Sequence, residues 1–241
     1  MNVRTKSRRG RPAGWGFPRA VAPRFFAALA LTALAACGAD DGDGSTKVNG
    51  SVHVPAGQQP GAATTVNGSI QIDDGATVTS ATTVNGAVHL GDHASATSLN
   101  SVNGAISVGS GAHVSGSVSS VNGSLTLKDG AEVAGPLANV NGKISLADAH
   151  AAAGIKTVNG SINIAGASRV EGGIHVDKGG SGLLNSGQSV PRIVIGPGAT
   201  VQGELRFERT VQLYVSDKAT IGSVTGATPI PFSGDAPPDE R

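Results

Sequence analysis

Six histidines are the side chains best suited to metal binding or acid–base catalysis, and the sequence scatters them. Only His53 and His89 share a position in the repeat described below, two repeats apart with Gln71 between them. Stacked strands lie about 4.8 Å apart, which separates the two by about 10 Å, whereas zinc holds its nitrogen ligands at about 2 Å. The full set, His53, His89, His93, His113, His150 and His175, therefore predicts solvated surface residues, no metal site and no cofactor.

Acidic and basic residues offer two further kinds of chemistry. One repeat position holds Asp74, Asp92, Asp129, Asp148 and Asp217, which we expect to form turns, because the calcium-binding nonapeptide of β-rolls is absent. The densest charge cluster is Glu204, Arg206, Glu208 and Arg209. Such a cluster suits a solvated face, so we predict no catalytic residue and no enzyme. The alternative is a protein that binds or cleaves envelope polysaccharide, as some β-helix proteins do, with Arg206 and Arg209 at its site.

A short repeat determines where these residues lie. The phrase Val-Asn-Gly recurs with spacings of 18, 18, 18, 19, 19 and 18 residues, starting at Val48, Val66, Val84, Val102, Val121, Val140 and Val158. Glycine accounts for 36 of 241 residues and aromatic residues for 3%. Small aliphatic side chains on a strict period predict a narrow core that is repeated along an axis.

Aligned units show apolar residues at alternating positions, which is typical of half-buried strands. Four and six residues after each leading valine lie pairs such as Val52 with Val54 and Ile70 with Ile72. A second strand is predicted around Val78 and its equivalents, including Ala152, and the leading valine itself is predicted to point inward. The sequence therefore predicts an all-β, single-stranded parallel β-helix, triangular in section, with about nine turns of 18 to 20 residues; the resemblance described below implies a right-handed coil.

The asparagine of each phrase is expected to form a ladder. Asn-Gly is a strong turn signal, and stacked corners would bring the asparagine amides into hydrogen-bonding distance along the axis. The alternative of a row of sugar or metal ligands is not needed to explain the regularity. The predicted structural ladder is Asn49, Asn67, Asn85, Asn103, Asn122, Asn141 and Asn159.

The first 36 residues predict export. They contain seven basic residues, no acidic residue and an apolar run at 25–36, which is too short for a membrane span of about 20 residues. Leu34-Ala35-Ala36-Cys37 resembles the lipobox of bacterial lipoproteins, which implies cleavage after residue 36 and lipidation of Cys37. Gly38 favours the outer membrane, facing the periplasm or the surface, by analogy with lipoprotein sorting.

These boundaries give four predicted segments. Residues 1–36 are a lipoprotein signal peptide and 37–47 a flexible acidic tether; 48–227 form the β-helix, with a loop insertion at 177–192, and 228–241 form a proline-rich disordered tail. From Cys37 onward the chain has 11 basic and 17 acidic residues, a balance of −6, which argues against nucleic acid as a partner.

Two families resemble the repeat domain. The segments 198–205 and 170–174 are similar to bactofilins, polymer-forming bacterial proteins with a right-handed triangular β-helix, and the Thr-Val-Asn-Gly-Ser-Ile phrase is similar to repeats of DUF4097-type, adhesin-like proteins. Bactofilins lack a lipobox, so their cytoskeletal role is not carried over. We expect a non-catalytic, lipid-anchored envelope protein with a structural, scaffold or self-assembly role. Its predicted partners are the membrane, through the lipid on Cys37, and further copies that join end to end.

Overall fold

The computed structural model describes residues 44–179 and 190–238, which form an all-β parallel solenoid without a helix in those ranges. This confirms the all-β parallel β-solenoid that the repeat predicts. In chain order the strands are β1 (Gly44–Asn49), β2 (Val52–Val54), β3 (Ala62–Asn67), β4 (Ile70–Ile72), β5 (Thr77–Asn85), β6 (Val88–Leu90), β7 (Ser95–Asn103), β8 (Ile106–Val108), β9 (His113–Val114), β10 (Val118–Asn122), β11 (Leu125–Leu127), β12 (Glu132–Val133), β13 (Leu137–Asn141), β14 (Lys143–Ala147), β15 (His150–Ala151), β16 (Ile155–Thr157), β17 (Ser161–Ala165), β18 (Arg169–Val170), β19 (Ile174–Val176), β20 (Arg192–Ile195), β21 (Thr200–Val201), β22 (Leu205–Phe207), β23 (Gln212–Ser216), β24 (Thr220–Ile221), β25 (Val224–Thr225) and β26 (Pro229–Phe232).

The strands form two sheets in which successive repeat units lie one above the other. A ten-stranded sheet runs from β2 to β26, and the other strands form a sixteen-stranded sheet. Pairing is parallel, and β2 with β4 aligns Val52 with Ile70 and Val54 with Ile72. The ten-stranded sheet gives about ten turns, one more than predicted. At about 4.8 Å per turn the stack is about 45 Å long.

The core is a column of aliphatic side chains to which both sheets contribute, such as Ile70 from the ten-stranded sheet and Leu99 from the sixteen-stranded sheet. The strands of the ten-stranded sheet alternate as expected: Ile70 and Ile72 are fully buried, and Gln71 between them is exposed. Leu125 and Leu127 repeat this arrangement around Thr126. Each buried Val, Ile or Leu contributes about 1.5 to 3 kcal/mol of hydrophobic stabilisation, so the column is the main source of stability in every turn.

The prediction that the leading valine points inward is wrong. In β10, Val118 and Ser120 are buried, whereas Val121 is only partly buried and Asn122 is exposed. Side chains alternate between the two faces of a strand, so once Val118 points inward Val121 must point outward. From Thr65 onward the inward position belongs to the residue before the leading valine, and Val48 in the first turn is 53% exposed.

One turn is shortened at a corner. Three residues lie between Leu127 and Ala131, but only two lie between Leu146 and Ala149. Ala151 therefore lies opposite Val133, and the expectation that Ala152 occupies this column is wrong. The missing glycine of this corner is replaced by Asp148 with a φ of 50°, a left-handed conformation that aspartate tolerates better than most residues.

Two predicted boundaries differ from the structure. Strand β1 begins at Gly44, inside the predicted tether, and pairs with β3; residues 37–43 lie outside the described ranges. The predicted loop insertion falls between β19 and β20, with Arg192 already in β20. Residues 180–189 of that segment also lie outside the described ranges.

The prediction of a disordered tail is wrong for Pro229–Phe232, which form β26 and pair with β23. The carbonyl of Phe232 accepts a hydrogen bond from the amide of Asp217, so Phe232 faces β23. Orientation alternates along a strand, so Pro231 and Pro229 direct their backbone nitrogens to the open edge. A missing N–H costs nothing there, which is why proline is tolerated on edge strands.

Candidate functional site

The seven phrase asparagines form a continuous row of side-chain hydrogen bonds along the solenoid. Each amide nitrogen donates to the side-chain oxygen of the asparagine one turn nearer the N-terminus, at 2.8 to 3.0 Å. The row starts at Asn49 and ends at Asn159, and we call it the asparagine ladder. Every inner member therefore uses one N–H and one oxygen lone pair on its neighbours, and two further hydrogen-bonding positions remain for solvent or a partner.

Arg209 closes the C-terminal end of the asparagine ladder. Its guanidinium Nη1 donates to the side-chain oxygen of Asn159 and, at 3.1 Å, to the carbonyl of Val158. Asn159 would otherwise lack a donor for its side-chain oxygen, because no Val-Asn-Gly phrase follows it. The arginine that the sequence suggested for a possible sugar site thus acts as a cap on the ladder, a role that no local sequence signal indicates.

A second row of polar side chains lies inside the solenoid and was missed by sequence analysis. The hydroxyl of Thr83 donates to the carbonyl of Gly68 in the preceding turn at 2.9 Å, and Thr65 does the same to Gly50. Asn139 fills this position with its amide, which donates to Gly123 at 2.6 Å. The signal was present, since the residue before each leading valine from Thr65 onward is Thr, Ser or Asn. These bonds give hydrogen-bond donors to the corner carbonyls of the preceding turn.

Close stacking explains the glycine of the phrase. A Cβ atom on Gly86 would lie 2.0 Å from the carbonyl oxygen of Gly68, and on Gly104 it would lie 1.9 Å from that of Gly86. Neither Gly86 nor Gly104 has a positive φ. Glycine is therefore required at Gly86 and Gly104 because the backbone of the preceding turn leaves no room for a Cβ atom. The backbone conformation that the Asn-Gly pair suggests is not the reason.

The charge cluster near the C-terminal end is held by contacts within the chain. Arg206 Nη2 lies 3.1 Å from Glu208 Oε1, and Glu204 accepts a hydrogen bond from Thr225 at 2.8 Å. With Arg209 bound to the asparagine ladder, the four residues do not converge on one point. This geometry does not favour the polysaccharide site that the sequence left open as an alternative.

The structure brings together one His and two carboxylates that lie apart in the sequence. His175 Nε2 is 2.7 Å from Asp177 Oδ1 and 3.6 Å from Glu208 Oε1, and one ligand atom from each residue lies within 4.8 Å of the others. However, Lys156 Nζ lies 3.0 Å from Asp177, and Arg206 pairs with Glu208. Both carboxylates thus already carry a cationic partner, so the group forms an ion-pair network across three turns.

A second network runs along the neighbouring part of the sixteen-stranded sheet. Glu132 lies between His113 and His150, with N–O distances of 3.4 and 3.6 Å. Glu171 accepts hydrogen bonds from Arg169 at 3.0 Å and from His150 at 3.2 Å. These two hydrogen bonds, the one from Arg169 first, lower the pKa of the Glu171 carboxyl below its usual value of 4.5.

The column of His53 and His89 and the position of Cys37 are the remaining features that the sequence predicts. His53, Gln71 and His89 share one outward column as expected, and His53 pairs with Asp73 at 2.8 Å. Cys37 lies outside the described residues. Among the residues that are described, no helix is long and apolar enough to cross a membrane.

Comparison with known proteins finds no match for this chain among family models, curated proteins or solved structures.

Proposed function

We propose that this chain is a lipid-anchored rod of the cell envelope with a structural or scaffold role, held through Cys37 in the outer membrane. The observation that carries the proposal is the combination of Leu34-Ala35-Ala36-Cys37 with a solenoid whose polar side chains bond along its length. Ladders of this kind join each turn to the next along the whole row, as a structural rod requires.

The position of the first strand supports an anchored rod. Strand β1 begins seven residues after Cys37, and an extended chain spans at most about 3.6 Å per residue. The N-terminal end of the stack therefore lies within about 25 Å of the lipidated residue. The other end is about 45 Å further along the axis when the rod stands upright, where it is available to partners in the envelope.

Metabolic labelling with palmitate tests the anchor in cells that express the full chain. We expect labelled wild-type protein in the membrane fraction and no label on the Cys37→Ser variant. A matched control combines Cys37→Ser with Ser45→Cys, which keeps one cysteine in the chain but moves it out of the lipobox. Wild-type protein without label, or a labelled control, would contradict the proposal.

A further inference from the structure

The outward orientation of the leading valines creates a surface that the repeat pattern alone does not reveal. Over five turns these valines are partly exposed in a straight row on the sixteen-stranded sheet: Val66, Val84, Val102, Val121 and Val140. A parallel row two residues earlier holds the partly exposed Thr82, Asn100, Ser119 and Ala138, with the buried Thr64 at its N-terminal end, and the asparagine ladder lies on the other side. We call these three rows the neutral face.

The neutral face is distinguished by its lack of charge. Segments 62–67, 80–85, 98–103, 117–122 and 136–141, which build it, contain no Asp, Glu, Lys, Arg or His. Charge returns on the same side of the sheet only with Lys156, followed by His175 and Arg206 in the next turns. A large uncharged surface with a continuous apolar row marks an interaction site rather than a solvated face.

We infer that the neutral face is the interface between two copies of this chain. Its rows repeat every turn, about 4.8 Å apart, and a second copy carries the same spacing, so the valine rows of the two rods stay in register along all five turns. Identical side chains at this spacing are the elements of a dry, interdigitated interface. A partner with a different side-chain spacing would be in register with only one or two turns of the neutral face.

The size of the face agrees with a dimer of modest affinity. Five turns cover about 24 Å along the axis, and six strand residues cover about 20 Å across it. Each copy would thus bury about 480 Å², or just under 1,000 Å² in total, which is in the range of weak or transient complexes. Association in the micromolar range is expected, and attachment to a common membrane would raise the effective concentration of the partners.

The orientation of the dimer rests on the proposed function, whereas the choice of face does not. If both chains are anchored through Cys37, their N-terminal ends lie near the same membrane, so the two-fold axis runs parallel to the rods. Each turn then faces the same turn of the partner, as an isologous interface requires. The neutral face contains no aromatic side chain, so it lacks the stacking platforms that would favour a sugar chain as the occupant.

Cysteine cross-linking of the full chain in intact cells tests the interface. Thr82→Cys places a thiol on the neutral face, and Ser107→Cys is the matched control, a partly buried outward residue of β8 on the other sheet. With a bismaleimide we expect at least about tenfold more cross-linked dimer for Thr82→Cys, because both thiols then lie within one interface, on either side of the two-fold axis. Equal yields from the two variants would overturn the inference.

Charge substitutions at the centre of the face separate loss of contact from loss of folding. In the Thr82→Cys background, Val102→Glu alone and Val102→Lys alone are each expected to reduce the dimer by about 100-fold, since like charges then meet in the interface. Co-expression of the two is expected to restore it. Failure of that restoration would overturn the inference, as would a cross-link that a soluble neutral oligosaccharide abolishes, which would assign the face to carbohydrate.

The labelling experiment and the cross-linking experiment test separate proposals, so either proposal can be contradicted without the other. An unlabelled wild-type chain that still forms the Thr82→Cys dimer would remove the lipid anchor and leave the interface in place. A labelled chain whose association is unaffected by Val102→Glu would keep the anchor and move self-association to the ends of the stack.

Discussion

Replacing Gly86 by alanine should separate adjacent turns of the solenoid. The new Cβ would lie 2.0 Å from the carbonyl oxygen and 2.5 Å from the carbonyl carbon of Gly68, whereas ordinary contacts begin at 3.4 Å. Neither group is the end of a flexible side chain, so the two backbones must move apart by about 1.4 Å, the difference between 3.4 and 2.0 Å. That movement pulls Gly68 away from Thr83, whose hydroxyl donates to its carbonyl at 2.9 Å.

The expected loss follows from these contacts. Overpacking of this kind costs about 1 to 3 kcal/mol, and two weakened hydrogen bonds, from Thr83 to Gly68 and between Asn85 and Asn67, add about 1 kcal/mol each. The lower entropy of the unfolded alanine chain offsets about 0.4 to 1 kcal/mol. We expect a net loss of about 3 kcal/mol and a melting temperature lower by about 6 to 12 °C.

Gly75→Ala is the matched control for this prediction. Gly75 has a φ of +68°, and a Cβ added to it would meet no atom within 4 Å, so its substitution costs about 1 to 2 kcal/mol through backbone conformation alone. Thermal and urea unfolding of the full chain, followed by far-ultraviolet circular dichroism, compares the two variants. Equal destabilisation, or a more stable Gly86→Ala protein, would refute the argument from close stacking.

Three further predictions concern polar and charged side chains. Asn103→Asp removes the donor to Asn85 and sets two oxygens against each other, so unfolding experiments should show a loss of about 1 to 3 kcal/mol that shrinks as the new carboxyl is protonated at low pH. Arg209→Ala should cost about 1.5 to 3 kcal/mol by removing charged hydrogen bonds from the ladder, whereas Arg206→Ala should cost at most about 1 kcal/mol as an exposed ion pair; similar losses in urea unfolding would contradict the capping role. The lowered pKa of Glu171 implies stabilisation that is present above its unfolded value of 4.5 and lost as pH falls through the lower folded pKa. NMR titration should show its carboxyl ionising below 4.5 in the wild type and closer to 4.5 in Arg169→Gln; an unchanged midpoint would contradict the assignment.

The repeat predicted the fold because one period constrains every turn. The alternation at Val52 and Val54 is strict, and a strand of three residues has only one way to bury two aliphatic side chains. The same reasoning failed for the leading valines because valine is common on both faces of a strand, and the competing inward candidates were small polar residues. Thr83 and Ser120 are buried only because the corner carbonyl of the preceding turn gives each a partner, and that partner lies a whole turn away.

Longer-range contacts explain the other differences from the sequence-based predictions. Arg209 lies 50 residues from Asn159 in the chain, and no local pattern links them before the number of turns is known. Proline in 228–241 suggested disorder, yet Pro229 and Pro231 occupy alternate positions of one strand, the arrangement in which an edge tolerates them. Ala152 was misplaced because a single deletion at the Asp148 corner moves every later side chain of that turn by one position.

The shortened corner at Asp148 also has a consequence for folding. Between residues 62 and 103 the units have identical length, so a chain that pairs β3 with β7, one whole turn out of place, still puts asparagine on asparagine and small polar residues on threonine. The alternation of apolar and polar residues disfavours a register shift of one residue between paired strands. It does not disfavour a shift of 18 residues, which is one whole turn. Units that differ in length, first at Gly116 and then at Asp148, cannot be superimposed after such a slip, and Arg209 can cap only one asparagine. The irregular turns therefore restrict the strands of an otherwise periodic chain to one pairing register.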